Sequence, residues 1–342
     1  MASVKEGVFF SIVLGVISSR SVQHHLLAMA FVSKAQTGSV VRRIQRFFEK
    51  QVFDFALLAE GILQMLSLPE KMEIVIDRTN WKFGKTPINF LVLSVTVTNK
   101  QSVPLLWKVL PKEGSSSAQE QSDLLMQFMS IFGEGRIKSL TADREFVGSK
   151  WLSFLACHQI PFYIRLKEDR LVDWGGDEKK QVRAFFRHLL PGCKRLLYKE
   201  IAGVEMAIAG TRSKGGDLVL VMTNQVSKSS AKILSIYRRR WAIETLFRNT
   251  KSSGFNFEDT HVKAPERLEK LMGAIAVATA LCLRAGQKQE ALRPTPYRKT
   301  VKACLYSLFR RGFDFLLRLL SHKEKLRAIL RALSHPLNKS VV

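Results

Sequence analysis

Two hydrophobic rhythms divide this chain. Residues 1 to 70 read as helical: apolar stretches at 9–16, 25–32 and 53–66 flank a basic segment, KAQTGSVVRRIQRFFEK, at 34–50. Within it Thr37, Gly38 and Ser39 can form a turn whose hydroxyls cap the helix that follows. That helix would turn Val41, Ile44, Phe47 and Phe48 inward and expose Arg42, Arg43, Arg46 and Lys50. A helix entering a DNA groove carries such a face, and so does a solvated basic helix.

From residue 73 the period shortens to that of a sheet. EIVID at 73–77 is a β-branched run ending in the carboxylate of Asp77, followed by the polar RTNWKFG of 78–84. Strand-like segments at 89–98 and 103–109, joined by 99–101, complete an antiparallel meander. A helix over 118–132 follows, then a second strand that ends in an aspartate, IKSLTAD at 137–143, a helix near 149–158 and a strand at 161–166. Beyond lie a helical stretch around 181–189 and strands at 195–200, 204–209 and 218–223, separated by glycine-containing turns. Residues 235–254 are helical in pattern and strongly basic. Helical character continues through the alanine-rich run of 264–284 until Arg293, Pro294, Thr295 and Pro296 break it. From 298 to 342, eleven lysines and arginines stand against two acids. Leu305, Leu308, Phe309, Leu316, Leu319 and Leu320 give this tail apolar faces too, which leaves DNA contact, dimerisation and simple capping all open.

Composition sharpens the picture. With 342 residues, 46% of them hydrophobic, the chain has apolar material for two or three packed units. Its formal net charge of +25 points to a polyanionic partner, because so much like charge weakens a compact state until something neutralises it. Nucleic acid is the first candidate and a membrane surface the competitor. The apolar runs 8–17 and 271–283 are shorter than the roughly 20 residues that span a bilayer, which favours buried helices. Arg20, His24 and His25 follow the first run without a signal-peptide cleavage site. Cys157, Cys193, Cys282 and Cys304 are widely spaced with no C-x-x-C pair, so neither a zinc ribbon nor a disulfide framework is expected, and a reducing cytoplasm fits.

The segment SIYRRRWAIETLFRNTKSSG at 235–254 holds one acid, Glu244, among five arginines and lysines. At about 100° per residue, Tyr237, Arg240, Glu244, Arg248 and Lys251 fall within roughly 80° of one another. Ile236, Ile243 and Phe247 lie just beside that face, so the helix could bury one stripe and present the next to a cleft. A solvated helix with an ordinary Glu244–Arg248 pair is the plainer alternative. The spacing Tyr237-x2-Arg240-x3-Glu244-x6-Lys251 resembles the Y-R-E-K signature of bacterial cut-and-paste insertion-sequence transposases, the DDE class with a ribonuclease H-like core. IDRTNW at 76–81 and ADREF at 142–146 also resemble that family's two aspartate motifs.

The resemblance, spanning roughly 73–284, implies an α/β fold. It would have a ribonuclease H-like mixed sheet with flanking helices, a helical N-terminal DNA-binding domain and a β-rich insertion before the last catalytic helix. The order of three strands, helix, strand, helix, strand matches that core, with Asp77 and Asp143 on neighbouring central strands. More than sixty residues separate 166 from the Glu244 helix, which leaves room for the insertion. The chain then divides into an end-binding domain at 1–70, core at 71–168, insertion at 169–217, core again at 218–290 and a basic helical segment at 291–342. Trp174 is the nearest candidate for an aromatic that steadies an unstacked base, with packing as its alternative.

Three carboxylates without histidine or cysteine suit magnesium or manganese, and a pair of such ions supports phosphodiester chemistry. The resemblance makes Asp77, Asp143 and Glu244 both the catalytic acids and the ligands of two Mg2+ or Mn2+ ions. It makes Tyr237, Arg240, Arg248 and Lys251 contacts to the DNA backbone, with Arg42, Arg43, Arg46 and Lys50 reading the element end. The expected partners are double-stranded DNA, as element ends and as target, and a second copy of the chain; no membrane is expected. The expected location is the bacterial cytoplasm, on the nucleoid. The reading is a DNA transposase. Its alternatives are a related metal-dependent nuclease that cleaves without joining and a catalytically silent, transposase-derived regulator, which would have no use for three acids.

Overall fold

A computed structural model describes residues 4–31, 33–175, 178–300 and 303–321. Helices α1 (Val4–Ser19), α2 (His24–Ala30), α3 (Thr37–Lys50) and α4 (Phe55–Leu66) make up the amino-terminal part. α3 buries Val40, Ile44 and Phe48 while Arg42, Arg43, Arg46 and Lys50 stay exposed. The expected hydroxyl cap is absent: Thr37 and Ser39 are already inside the helix, and Gln36, which precedes it, makes no side-chain cap. α4 has such a cap, with the Asp54 carboxylate accepting from the Leu57 N–H at 3.0 Å. Phe9, Phe47 and Phe53 meet at ring-centroid distances of 5.3 to 6.2 Å and lock these helices together.

Strands β1 (Met72–Phe83), β2 (Thr86–Thr98) and β3 (Gln101–Val109) form the meander, followed by α5 (Ala118–Phe132), β4 (Ile137–Ala142), α6 (Ser149–Cys157) and β5 (Phe162–Leu166). β4 pairs parallel with β1, and β5 with β4. Parallel neighbours need crossovers, which α5 and α6 supply. The resulting order, β3-β2-β1-β4-β5, is the ribonuclease H-like arrangement. β1 does not stop at Asp77. It runs on against β2 to a two-residue turn in which Gly84 takes φ 59°, a conformation that costs glycine little.

β6 (Leu171–Gly175) and β7 (Glu178–Gln181) form a separate small hairpin, and the helical stretch expected near 181–189 is a 3-10 turn over Val182–Phe186. β8 (Lys194–Ile201), β9 (Val204–Arg212) and β10 (Leu218–Thr223) do not stand apart from the core. β10 pairs with β5, and the sheet continues through β9 to β8 for eight strands in all. Alternation along these strands explains the join: Met206, Ile208, Leu220 and Met222 belong to the main core, while Ala207, Ala209 and Val221 back the opposite face.

That opposite face is covered by α7 (Ser230–Tyr237), through Ile233, Leu234 and Tyr237. A 3-10 turn over Arg238–Arg240 leads into α8 (Trp241–Thr250), and α9 (Pro265–Leu292) follows. α9 is the long buried helix behind the meander, joined to β3 where the Trp107 Nε1–H donates to the Glu269 carbonyl at 2.9 Å. α10 (Leu308–Leu320) lies on α9 at a distance only glycine permits, since a Cβ on Gly312 would come within 1.8 Å of the Cys282 carbonyl oxygen. The apolar runs 8–17 and 271–283 lie in α1 and α9, and no helix among the described residues is long and apolar enough to cross a membrane.

Candidate active site

The register of the two central strands brings the aspartates together. Ile74, Val75 and Ile76 of β1 lie opposite Leu140, Thr141 and Ala142 of β4, so Asp77 and Asp143 are the next pair, where β4 ends. Side chains alternate along a strand, which puts Val75 and Asp77 on one face. Val75 packs with Ile243 and Leu246 of α8, and this small apolar contact sets α8 over the same face of the sheet. Glu244, next to Ile243, is thereby brought to the Asp77 side of the sheet, where Arg240 bridges the two acids.

Arg240 joins the acids. Its Nη1–H donates to Asp77 Oδ2 at 3.0 Å, and its Nη2–H donates to a Glu244 carboxylate oxygen. The guanidinium is almost enclosed, with 11% of its side chain exposed, and it lies 5.9 Å from the centre of the Tyr237 ring. Burial works against its charge, but Tyr237, Asp77, Asp143 and Glu244 outweigh it and push its pKa up. Asp77 shows the opposite balance. Burial pushes its pKa to about 7, against the pull of Arg240 and of the Arg78 N–H that donates to Oδ1 at 2.8 Å, with repulsion from Asp143 and Glu145 adding to the rise. Tyr237 rises to about 12, chiefly through burial. Asp143 Oδ1 is enclosed without a hydrogen-bond partner. A buried carboxylate oxygen left so is costly unless something else satisfies it.

The basic segment is not one continuous helix. The tighter 3-10 turn over Arg238–Arg240 separates α7 from α8, and Lys251 falls past the end of α8 at φ −83° and ψ −93°. The narrow stripe expected from helical spacing is therefore split. Arg239, which helical spacing turns about 100° away from Arg240, is paired with Glu73, which Lys138 also contacts at 3.0 Å. Burial works to raise the Glu73 pKa, and the two cations outweigh it and hold it low. Lys251 sits lower on β1: Nζ donates to the Asn80 carbonyl at 3.1 Å, pairs with Glu258 at 2.6 Å and lies 5.3 Å from the Trp81 ring centre. Arg248 is exposed on α8. Arg42, Arg43, Arg46 and Lys50 lie on the exposed face of α3 and are not part of this cluster. The side chain of Trp174 lies outside the described residues.

Sequence reasoning missed two members of the cluster, Arg78 and Glu145, although both sit inside the quoted aspartate motifs. Arg78 Nε and Nη2 donate to Glu145 Oε1 and Oε2 at 2.8 and 3.0 Å. An arginine directly after Asp77 and a glutamate two residues after Asp143 were the available signal.

The donor set suits a hard divalent cation. Asp77 and Asp143 are adjacent carboxylates, one with an orphaned buried oxygen, and no histidine or cysteine intervenes. Among the described residues, no three His, Cys, Asp or Glu side chains stand close enough to hold one ion together. The Arg240 fork stands between Asp77 and Glu244, where a cation they shared would lie. The residues fit a divalent ion provided that this guanidinium gives way.

The model of the transposase DDE domain family matches residues 69–282, a span that holds Asp77, Asp143 and Glu244 and omits α1 to α4 and α10. No curated protein matches the chain in sequence. Among solved structures, the chain is similar to piggyBac transposase in a synaptic complex with hairpin DNA, at 12% identity and TM-score 0.49, over 98% of this chain and 77% of that one. It is also similar to an endonuclease V from Bacillus subtilis at 10% identity and TM-score 0.30, over 72% of this chain and 94% of that one. Both likenesses are too slight to bear on activity.

Proposed function

The chain belongs to the family of transposases with a DDE domain, and from that premise we propose that it binds the ends of an insertion sequence, cleaves DNA with divalent metal ions and joins the 3′ ends to a target. The observation that carries this reading is the meeting of Asp77 and Asp143 just beyond the last paired residues of the two central strands, Ile76 and Ala142, with Glu244 linked to Asp77 through Arg240. Asp77, Asp143 and Glu244 would hold two Mg2+ or Mn2+ ions. Such ions supply an activated oxygen nucleophile and stabilise the leaving oxygen.

The chain's own side chains do the rest. Asp77 gives up the proton that burial favours when it becomes a ligand. Arg240, released from the acids, keeps its charge and has a fork shaped for a phosphate. Arg248, exposed one turn beyond Glu244, and the α3 cations Arg42, Arg43, Arg46 and Lys50 supply backbone and end contacts, and Tyr237 and Lys251 border the strand's path. A second copy of the chain completes the DNA complex, which works in the cytoplasm on the nucleoid.

The deciding experiment uses duplex DNA taken from the borders of the reading frame. With Mg2+, the wild-type protein should cleave at the border and join the cut 3′ end to a second duplex. Asp143→Asn should bind the same DNA and do neither. Near-normal cleavage by Asp143→Asn overturns the assignment, and cleavage without joining by the wild-type protein makes it a nuclease.

A further inference from the structure

The two aspartate-bearing strands are tied by a brace that the proposed chemistry does not use. Parallel pairing between β1 and β4 ends at Ile76 and Ala142, so the ladder stops just before Asp77 and Asp143. The bidentate Arg78–Glu145 fork takes over beyond that point, between the residue after Asp77 and the turn after β4. The third donor of Arg78, Nη1, reaches Asn89 Oδ1 on β2 at 2.9 Å. Asn89 is 2% exposed, and its amide donates to the carbonyls of Lys112 and Gly114 at 3.0 and 3.1 Å, in the loop between β3 and α5. One polar chain thus runs from the turn after β4 through β1 and β2 to that loop. It also engages both oxygens of Glu145, a fourth carboxylate close enough for its charge to bear on Asp77.

We propose that Arg78 and Glu145 are a positioning pair: they set the spacing of Asp77 and Asp143 and keep the Glu145 carboxylate off the divalent ion those aspartates would bind. This rests on the metal-dependent reading of the site. A salt bridge that served stability alone would be replaceable by apolar side chains of similar volume, whereas spacing set by a fork would not. Outer residues that orient ligands typically change metal affinity without touching the ion.

The test uses the full chain and two readouts, thermal unfolding and calorimetric titration with Mn2+, on wild type, Arg78→Lys, Glu145→Gln, the double variant Arg78→Met with Glu145→Leu, and Asp143→Asn. The double variant should unfold close to wild type yet bind Mn2+ about tenfold more weakly. Arg78→Lys, which keeps the charge and loses the fork, should fall between. In DNA cleavage, the Mn2+ concentration for half-maximal rate should rise by the same factor, with the rate at saturating metal kept. If the double variant does not fold, Glu145→Gln carries the test, since it keeps the volume and one acceptor while halving the fork; it should bind Mn2+ measurably more weakly. Wild-type Mn2+ affinity in the folded double variant, or in Glu145→Gln, overturns the positioning role. Asp143→Asn separates the two ideas: if it binds Mn2+ as wild type does, the metal reading itself has failed and the pair falls with it.

Discussion

Two arginine-rich helical regions of this molecule handle charge in opposite ways. On α3, Arg42, Arg43, Arg46 and Lys50 all lie on the exposed face, while the buried stripe is apolar. Between α7 and α8, Arg239 and Arg240 are drawn inward onto Glu73, Asp77 and Glu244, and the backbone tightens to a 3-10 turn there. Exposed cations act additively and can be exchanged for one another, because water screens each of them. A buried cation is tied to particular acids, because removing it leaves their charges without compensation. The first region is suited to hold a polyanion and the second to organise a reaction centre.

That contrast can be broken by measurement, starting with its largest expected effect. Asp77→Asn should abolish metal-dependent cleavage and yet stabilise the metal-free fold at neutral pH. The folded-state pKa of Asp77 is raised from its ordinary 3.8 to about 7, so the folded protein holds this proton where the unfolded chain has lost it. The stability linked to that proton is fully present below pH 3.8, declines as pH rises towards 7 and is gone above it. The gap corresponds to about 4 kcal/mol. Denaturant unfolding of metal-free protein should therefore give the variant an advantage that is near zero at pH 4 and grows to a plateau above pH 7. An advantage independent of pH would remove Asp77 from the buried, crowded position described here.

Next in size is Arg240→Ala. Loss of the shared cation should cost the metal-free protein about 3 kcal/mol, and added Mn2+ should restore part of that by neutralising the same acids. Arg240→Lys should recover one contact of the two. A cost below that of an exposed arginine would place Arg240 in the same class as the α3 cations. On α3 itself, Arg42→Gln with Arg46→Gln should leave unfolding unchanged within about 0.5 kcal/mol. The same pair should flatten the log–log salt dependence of DNA binding by one to two, at about 0.9 per phosphate contact. An unchanged slope moves the DNA contact off α3. The smallest effect separates Arg248 from Lys251. Arg248→Ala should leave stability unchanged, and Lys251→Ala should lower it by about 1 kcal/mol through its contacts to Trp81, Asn80 and Glu258. Equal unfolding curves would mean that Lys251 is as free as Arg248.

Strand order was legible because it follows from local period and link length. Short links force β1, β2 and β3 into a meander, and the helices at 118–132 and 149–157 force parallel crossovers, which leads directly to the neighbouring positions of Asp77 and Asp143. Residues 218–223 were expected in the core, where β10 lies, but the joining of β8 and β9 to the same sheet was not legible. An open edge on β5 pairs with any strand of suitable faces, and the sequence period does not say which.

What the sequence determined by itself is therefore local and periodic: most of the elements, the two aspartates that close apolar runs, the polar face of α3 and the surplus of positive charge. What only the tertiary structure decided is which charges meet. Helical spacing places Arg239, Arg240 and Lys251 by angle along an ideal axis, but each found a partner on β1 that is remote in sequence: Glu73 for Arg239, Asp77 for Arg240, and the Asn80 carbonyl and Trp81 ring for Lys251. The Arg78–Glu145 fork likewise spans 67 residues of sequence. Periodicity carries information over a turn or two of backbone, whereas the energy of a partly buried ion pair depends on a distance that only the packed sheet sets.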